Sequence, residues 1–234
     1  KGAASSLYGS DAIAGVINII TKKNLSKQEL TSTSRVGEYG DVRESISLGW
    51  TFGKVKSVTA LDFHHTDGWR NTDLQWNQQQ LKPGSTQKTV NRSTNYTLSE
   101  KLEWEVNKRL TLSASANYYE RWVARPHGQW SYLANDFYYR NYGFATNGKY
   151  KLKGRNYLTA DLSYDRYGYF YDYKLQEVTD YFLNGDRITY YPGQRIKQSV
   201  QQQLLGQAKG VFYLGDTHIL NTGIEYLYQH LESP

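Results

Sequence analysis

The sequence predicts an all-β protein, a transmembrane antiparallel β-barrel. Three observations carry this prediction: long segments in which apolar and polar residues alternate, connections that are alternately tight and long, and an unusual share of tyrosine and tryptophan. Alternation with a period of two is the pattern of a strand with one apolar face. Strands of about 9–11 residues are long enough to cross a bilayer at a tilt.

The alternation predicts about nine strands of roughly 8–15 residues, whereas strands of soluble proteins average about 5–6. In the segment from Tyr96 to Val106 the even positions are apolar except for Glu100, and the odd positions are all polar. The segment from Glu29 to Val36 has the poorest pattern. The nine predicted segments are 29–36, 46–52, 55–63, 96–106, 110–122, 142–152, 158–164, 200–214 and 220–228.

The connections between these segments are of two kinds. Tight connections are predicted around Gly53, Asn107, Gly154 and Gly215. Long ones are predicted over 67–91, 123–139 and 168–194, and the hairpin at 37–40 is a short exception. Because tight and long connections alternate, each kind lies at one end of the strands. Short turns on one side and long loops on the other are typical of outer-membrane barrels.

Aromatic residues are placed as a membrane barrel requires. They make up 15% of the chain, with 22 Tyr and 6 Trp. Trp104, Tyr150 and Tyr213 lie near tight turns, whereas Tyr118 and Tyr142 lie toward the long loops. Tyr and Trp collect where hydrocarbon meets headgroups. The alternative is a soluble β-sandwich with an aromatic core, which the strand length and the unequal loops disfavour.

Composition removes several other classes of protein. The chain has no cysteine, so it has neither disulfides nor thiolate metal sites. No apolar run approaches the roughly 18 residues that a transmembrane helix needs. The net charge is +6, but the basic residues are scattered among acidic ones, so no nucleic-acid partner is expected. The 234 residues include no methionine, so we expect Lys1 to follow an upstream segment.

The opening stretch, from Gly2 to Lys23, differs from the rest of the chain. Gly9 permits a tight turn, and the Asp11 carboxylate can accept hydrogen bonds from nearby backbone. The segment from Val16 to Thr21 is β-branched apart from Asn18, which predicts a strand. A phosphate-binding interpretation fails because neither glycine-rich phosphate motif is present.

This stretch closely resembles the end of the plug domain of TonB-dependent outer-membrane receptors. Ala14 departs from the commoner glycine. The motif residues are Tyr8, Gly9, Ser10, Asp11, Gly15 and Asn18, and Ala12, Ile13, Val16, Ile17, Ile19, Ile20, Thr21 and Lys22 also match. The resemblance implies the plug end over 1–24 and the first part of a barrel over 25–234. It implies about 22 strands around a plugged lumen in the whole protein, so we expect the chain to be a fragment.

The resemblance also implies a function. Such receptors import scarce nutrients, energised by the TonB complex acting on the plug, so no enzyme activity, catalytic residue or resident cofactor is expected. The implied location is the outer membrane of a Gram-negative bacterium. Implied partners are the TonB complex, through the upstream plug segment, outer-membrane lipids and lipopolysaccharide, and the small-molecule nutrient. A surface lipoprotein is a further option.

The nutrient is interpreted as haem or another iron complex, with cobalamin as the alternative and a glycan-importing or passive surface barrel as a second class. His127 is the candidate haem ligand, although an ordinary exposed loop histidine explains it as well; no metal site is otherwise assigned. Paired His64 and His65 are interpreted as plain polar residues. The tyrosine-rich stretches 135–144 and 164–176 could stack on a flat ligand, although the interfacial aromatic belt explains them as well. The candidate ligand-binding residues, all expected in loops, are Arg125, His127, Trp130, Tyr138, Tyr139 and Tyr171.

Overall fold

The computed structural model describes residues 28–69, 92–124, 135–173, 178–183, 185–215 and 217–233. The motif residues Tyr8, Gly9, Ser10, Asp11, Gly15 and Asn18 lie outside the described residues, so the plug assignment over 1–24 stays a prediction. The described strands are β1 Gln28–Val36, β2 Val42–Phe52, β3 Val55–Thr66, β4 Ser93–Glu105, β5 Leu110–Val123, β6 Asn135–Lys151, β7 Tyr157–Tyr173, β8 Thr179–Leu183, β9 Asp186–Tyr190, β10 Arg195–Leu214 and β11 His218–Glu232.

Nine of the strands form one antiparallel sheet in the order β1-β2-β3-β4-β5-β6-β7-β10-β11. Each strand pairs with its neighbour along the chain, except that the small β8–β9 hairpin stands between β7 and β10 as a sheet of its own. This up-and-down order confirms the nine predicted strands. The described residues contain no helix long and apolar enough to cross a membrane.

The sheet has one apolar and one polar face, as the alternation predicts. One row of directly paired residues joins Ile46, Leu61, Leu98 and Tyr118 on the apolar face. The neighbouring row joins Ser45, Asp62, Thr97 and Tyr119 on the polar face. Paired residues point to the same side of a sheet, so the two rows alternate across it.

The apolar face is not a soluble core. Leu61 is 48% exposed and Ile224 is 77% exposed. Among the described residues, Tyr138, Tyr173 and Val200 are the buried hydrophobic ones. A β-sandwich would cover its apolar face with a second sheet about 10 Å away. The exposed apolar face is what a wall facing hydrocarbon requires.

The tight connections lie at one end of the sheet. Gly53 and Gly154 have φ of +58° and +71°, a conformation that glycine adopts without steric cost. In the β4–β5 turn, the Asn107 side-chain oxygen accepts hydrogen bonds from the backbone N–H groups of Arg109 and Leu110 at 2.8 and 3.0 Å. These local interactions reverse the chain in a few residues.

Two of the predicted long loops are wrong in extent. Strand β6 already begins at Asn135, and β7 continues to Tyr173, so all of 135–139 and 168–173 is strand. The β8–β9 hairpin occupies part of the remainder. The physical reason is that these segments are rich in Phe and Tyr, which favour strands and pair across β6 and β7.

Candidate functional site

Five aromatic rings cluster on the polar face at the long-loop ends of β6 and β7. We call Phe137, Tyr139, Tyr167, Tyr169 and Tyr171 the aromatic patch. Tyr139 and Tyr169 stack, with ring centroids 5.0 Å apart and planes 14° apart. The ring centroid of Phe137 lies 5.7 Å from that of Tyr169 and 5.6 Å from that of Tyr171. The ring centroids of Tyr167 and Tyr139 are 6.4 Å apart.

The sheet register brings the patch together. Phe137 pairs with Tyr171, and Tyr139 pairs with Tyr169. All five residues occupy odd positions, which point to one side because successive side chains alternate across a strand. Tyr139 lies twelve positions before Lys151, where β6 ends at its tight turn. Since about 9–11 residues cross a bilayer, the patch lies at or above the outer end of a membrane-spanning segment.

Polar groups on the neighbouring strand β5 border the patch. Arg121 pairs directly with Tyr139, and its Nε is buried with no hydrogen-bond partner among the described residues. The Asn117 side-chain amide donates a 3.1 Å hydrogen bond to the Asn141 side-chain oxygen. The patch therefore offers aromatic faces for stacking, phenol hydroxyls, and a guanidinium that can pair with an anionic group.

The structure distributes the predicted site residues unevenly. Tyr139 and Tyr171 lie together in the aromatic patch, but in strands rather than in loops. Tyr138 is also in a strand, β6, but it points to the opposite, apolar face and so lies outside the patch. The physical reason is the period of two: neighbouring residues of a strand cannot share a face. Arg125, His127 and Trp130 lie outside the described residues.

Three members of the patch were not among the candidate ligand-binding residues: Phe137, Tyr167 and Tyr169. The signal was weak: the stretches from Asn135 to Phe144 and from Tyr164 to Tyr173 place aromatics at odd positions, but both also hold aromatics at even positions. Interpreting these stretches as loops removed the alternation that would have grouped them. Among the described residues, no three His, Cys, Asp or Glu side chains converge as metal ligands.

A second polar contact holds the short β1–β2 turn beside the same mouth. His64 Nε2 lies 2.8 Å from the Asp41 carboxylate. The hydrogen bond from His64 lowers the pKa of Asp41 below its ordinary value, and the charges of His64, Arg35 and Arg43 act in the same direction. The backbone N–H of Asp67 also donates to the Tyr39 carbonyl at 2.9 Å. The turn is thus tied to the end of β3.

Comparison with known proteins finds a similar sequence segment and a similar fold, while no family model matches the chain. The chain is 44% identical over 54 residues to the vitamin B12 transporter BtuB of Vibrio cholerae serotype O1, a segment covering 23% of the chain and 9% of that transporter. The fold matches the siderophore receptor PiuA of Acinetobacter baumannii with a TM-score of 0.68 at 14% identity. That match covers 99% of the chain and 34% of the receptor, so the chain spans about a third of its length.

The sequence relationship and the shared sheet agree with the motif residues that precede the strands. The apolar face of the sheet is then the lipid-facing side, and the polar face is the lumen. The nine-stranded sheet therefore has the fold of part of the PiuA barrel wall, and the short stretch of identity to BtuB supports the resemblance to TonB-dependent outer-membrane receptors.

Proposed function

We propose that the protein imports a scarce nutrient across the outer membrane of a Gram-negative bacterium, energised by the TonB complex. The observation that carries this proposal is the aromatic patch, a stacked surface on the lumen side of the wall at the long-loop end. A ligand arriving from outside would meet this surface as it enters the lumen.

The favoured ligand is an iron complex with flat conjugated rings, and haem is the first candidate. Tyr139 and Tyr169 present aromatic faces, and Arg121 supplies a cation suited to a ligand carboxylate. His127, Arg125 and Trp130 in the adjoining β5–β6 connection stay predicted contacts. The PiuA likeness, which is to a siderophore receptor, is compatible with an iron complex.

Cobalamin is the second candidate, and a specific observation favours it. The 44% identity over 54 residues is to a vitamin B12 transporter. A corrin ring would also stack on the patch, so the geometry does not separate the two ligands. A passive or glycan-binding barrel is the remaining class; it would need neither the TonB complex nor a flat ligand.

The energised step is tested by nutrient uptake in the source bacterium. Deleting TonB should abolish uptake by this receptor while leaving its surface binding of the nutrient intact. Uptake that continues unchanged without TonB would contradict the proposal and favour a passive barrel. Growth of a receptor-deletion strain on haem, ferric siderophores or cobalamin, each as the limiting source, would identify the nutrient.

The ligand site is tested with the purified complete receptor. Adding haemin should shift its Soret absorbance, and the Tyr139→Leu/Tyr169→Leu variant should bind more weakly. Tyr157→Leu is the matched control, because Tyr157 lies on the same face of β7 at the tight-turn end. His127→Ala tests the predicted haem ligand separately. Absence of a Soret shift in the unaltered receptor would remove haem and leave the other ligands to be titrated by tryptophan fluorescence.

A further inference from the structure

Four basic residues stand on the lipid-facing side of β6, β7 and β10, behind the aromatic patch. We call Arg140, Arg166, Arg195 and Lys197 the basic cluster. Arg140 and Arg166 belong to the same outward face as Tyr138 and Tyr142. A β-bulge between Lys197 and Ser199 brings Arg195 and Lys197 to that face as well, where they pair with Asp172 and Phe170.

The cluster begins where the apolar belt ends. One outward row consists of Ala116, Phe144, Tyr164, Leu204 and Tyr228. The next row toward the long loops consists of Tyr118, Tyr142, Arg166, Gln202 and His230, and the row after it contains Glu120, Arg140, Gly168 and Val200. Since aromatic girdles mark the boundary between hydrocarbon and headgroups, Arg140 and Arg166 stand at headgroup level.

Two of the four cations are already neutralised. Arg195 makes a bidentate pair with Asp172 at 2.6 and 2.9 Å. Lys197 Nζ lies 2.7 Å from the Glu232 carboxylate. These pairs leave little capacity for a further anion.

Arg140 and Arg166 retain donors for another partner. Arg140 donates to the Tyr138 hydroxyl from Nε and Nη2 at 3.0 and 2.5 Å, while Glu120 approaches Nη2 only to 3.8 Å and accepts from Tyr118. Arg166 lies 5.6 Å from the Tyr142 ring centroid, and no described carboxylate forms an ion pair with it. A guanidinium carries five N–H donors, so both side chains can take an anion.

The two arginines are placed to share one ligand. Arg140 pairs with Gly168, and Arg166 lies two residues earlier on β7, so the two are diagonal neighbours on one face. Diagonal neighbours in a sheet are about 7–8 Å apart, within reach of long side chains. A phosphate oxygen cluster is the geometry that paired guanidinium forks match best.

The rest of the described wall lacks this feature at the same height. The outward row that contains Glu120 of β5 continues through Tyr96, Phe63 and Glu44 in β4, β3 and β2. The next row, which contains Trp122, continues through Thr94, His65 and Val42. None of these six is Lys or Arg. The cations are therefore confined to one sector, which argues against a uniform belt of basic side chains.

We propose that Arg140 and Arg166 bind the phosphate of a lipopolysaccharide-type glycolipid in the outer leaflet, with Tyr142 against its apolar part. Charge complementarity and the position just above the apolar belt select a lipid phosphate over a soluble anion, which would have no reason to sit beside hydrocarbon. The inference rests on the outer-membrane location proposed above. It concerns the outside of the wall and is independent of which nutrient enters the lumen.

The test uses the complete receptor, purified in detergent and stripped of lipid. Native mass spectrometry measures binding of bis-phosphorylated lipid A, of the same lipid without phosphate, and of inorganic phosphate. Arg140→Gln/Arg166→Gln should weaken binding of the phosphorylated lipid about tenfold or more. Arg155→Gln is the charge-matched control, because Arg155 lies in the tight β6–β7 turn at the opposite end of the wall.

The single variant Arg166→Gln is included in case the double variant does not fold. Arg166 contacts the Tyr142 ring and forms no ion pair with a described carboxylate, so its replacement should not disturb the fold. It should weaken lipid binding about threefold or more while heat-modifiable migration and nutrient binding stay unchanged. Equal lipid binding by unaltered and variant receptors would overturn the proposal. So would equal binding of dephosphorylated lipid A, or inorganic phosphate that competes at the same concentration. Failure of the unaltered receptor to import a nutrient, with its lipid binding intact, would instead contradict the transport proposal alone.

Discussion

Adjacent residues in β6 and β7 serve two different surfaces of the barrel wall. Phe137 and Tyr139 contact aromatic neighbours on the lumen side. Tyr138 and Arg140 are their neighbours in the chain, yet these two side chains contact one another on the lipid-facing side. Composition alone therefore does not define a site in a barrel strand, because odd and even positions face different surroundings, lumen or lipid.

A charge placed on each face at the same height should have very different effects on stability. Phe144→Arg would put a guanidinium in the lipid-facing belt, whereas Ala145→Arg would put one in the lumen. Charges on the lipid face cost about 2–4 kcal/mol at the midplane and about 0–1 kcal/mol near the interface. Phe144 is one row inside the headgroup level, so Phe144→Arg should lower the free energy of unfolding by about 1–3 kcal/mol. Ala145→Arg should change it by less than about 1 kcal/mol. Urea unfolding in lipid vesicles measures both, and equal losses would contradict the assignment of faces.

The second test uses the one carboxylate within the apolar stripe of β4. Glu100 accepts hydrogen bonds from the hydroxyls of Ser57 and Thr59 at 2.6 and 2.5 Å, and Ser57 is buried. Ser57→Ala removes one donor from a carboxylate in an apolar setting and should destabilise the protein by about 1–3 kcal/mol. Ser57→Ala combined with Glu100→Leu should recover most of that loss. An additive result in the double variant would show that the two residues do not interact.

The third test concerns the aromatic patch. Tyr139→Leu keeps a large apolar side chain but removes the stacked ring, so the affinity for the nutrient should fall about threefold to tenfold, corresponding to about 0.5–1.5 kcal/mol for an aromatic pair. Tyr142→Leu removes a tyrosine from the other face of the same strand and should leave the affinity unchanged. Isothermal titration with the identified nutrient compares the two variants. A larger effect at Tyr142 would reverse the proposed roles of the faces.

The smallest expected effect concerns the turn held by Asp41. Its pKa lies below the ordinary value of 3.8, chiefly because of the hydrogen bond with His64. A lowered carboxyl pKa stabilises the fold above the ordinary value, and that contribution is lost as pH falls through the folded-state pKa. Asp41→Asn should therefore speed amide exchange in 37–41 at pH 6 and leave it unchanged below the folded-state pKa. An effect of equal size at both pH values would exclude this ionic contribution.

The sheet was predictable because alternation is a local signal. All nine predicted segments coincide with strands of the main sheet, and even the weakly patterned first segment corresponds to β1. The upper ends of β6 and β7 were not predicted, since runs such as Phe137 to Tyr139 are aromatic at both parities. These two segments form strands because they pair with each other, although the paired residues are more than twenty positions apart in the sequence. That Tyr138 and Tyr139 lie on opposite faces of the sheet can be deduced only once this pairing is known.

The central claim is that residues 137–145 of β6 alternate between lipid and lumen, and spin labelling tests it most directly. The chain contains no cysteine, so single cysteines can be placed at Asn141, Tyr142, Phe144 and Ala145 in a background without others. The account predicts that labels at 142 and 144 collide preferentially with oxygen dissolved in lipid, and that labels at 141 and 145 collide with a water-soluble nickel chelate. Collision rates without that two-residue period, or with the opposite parity, would contradict it.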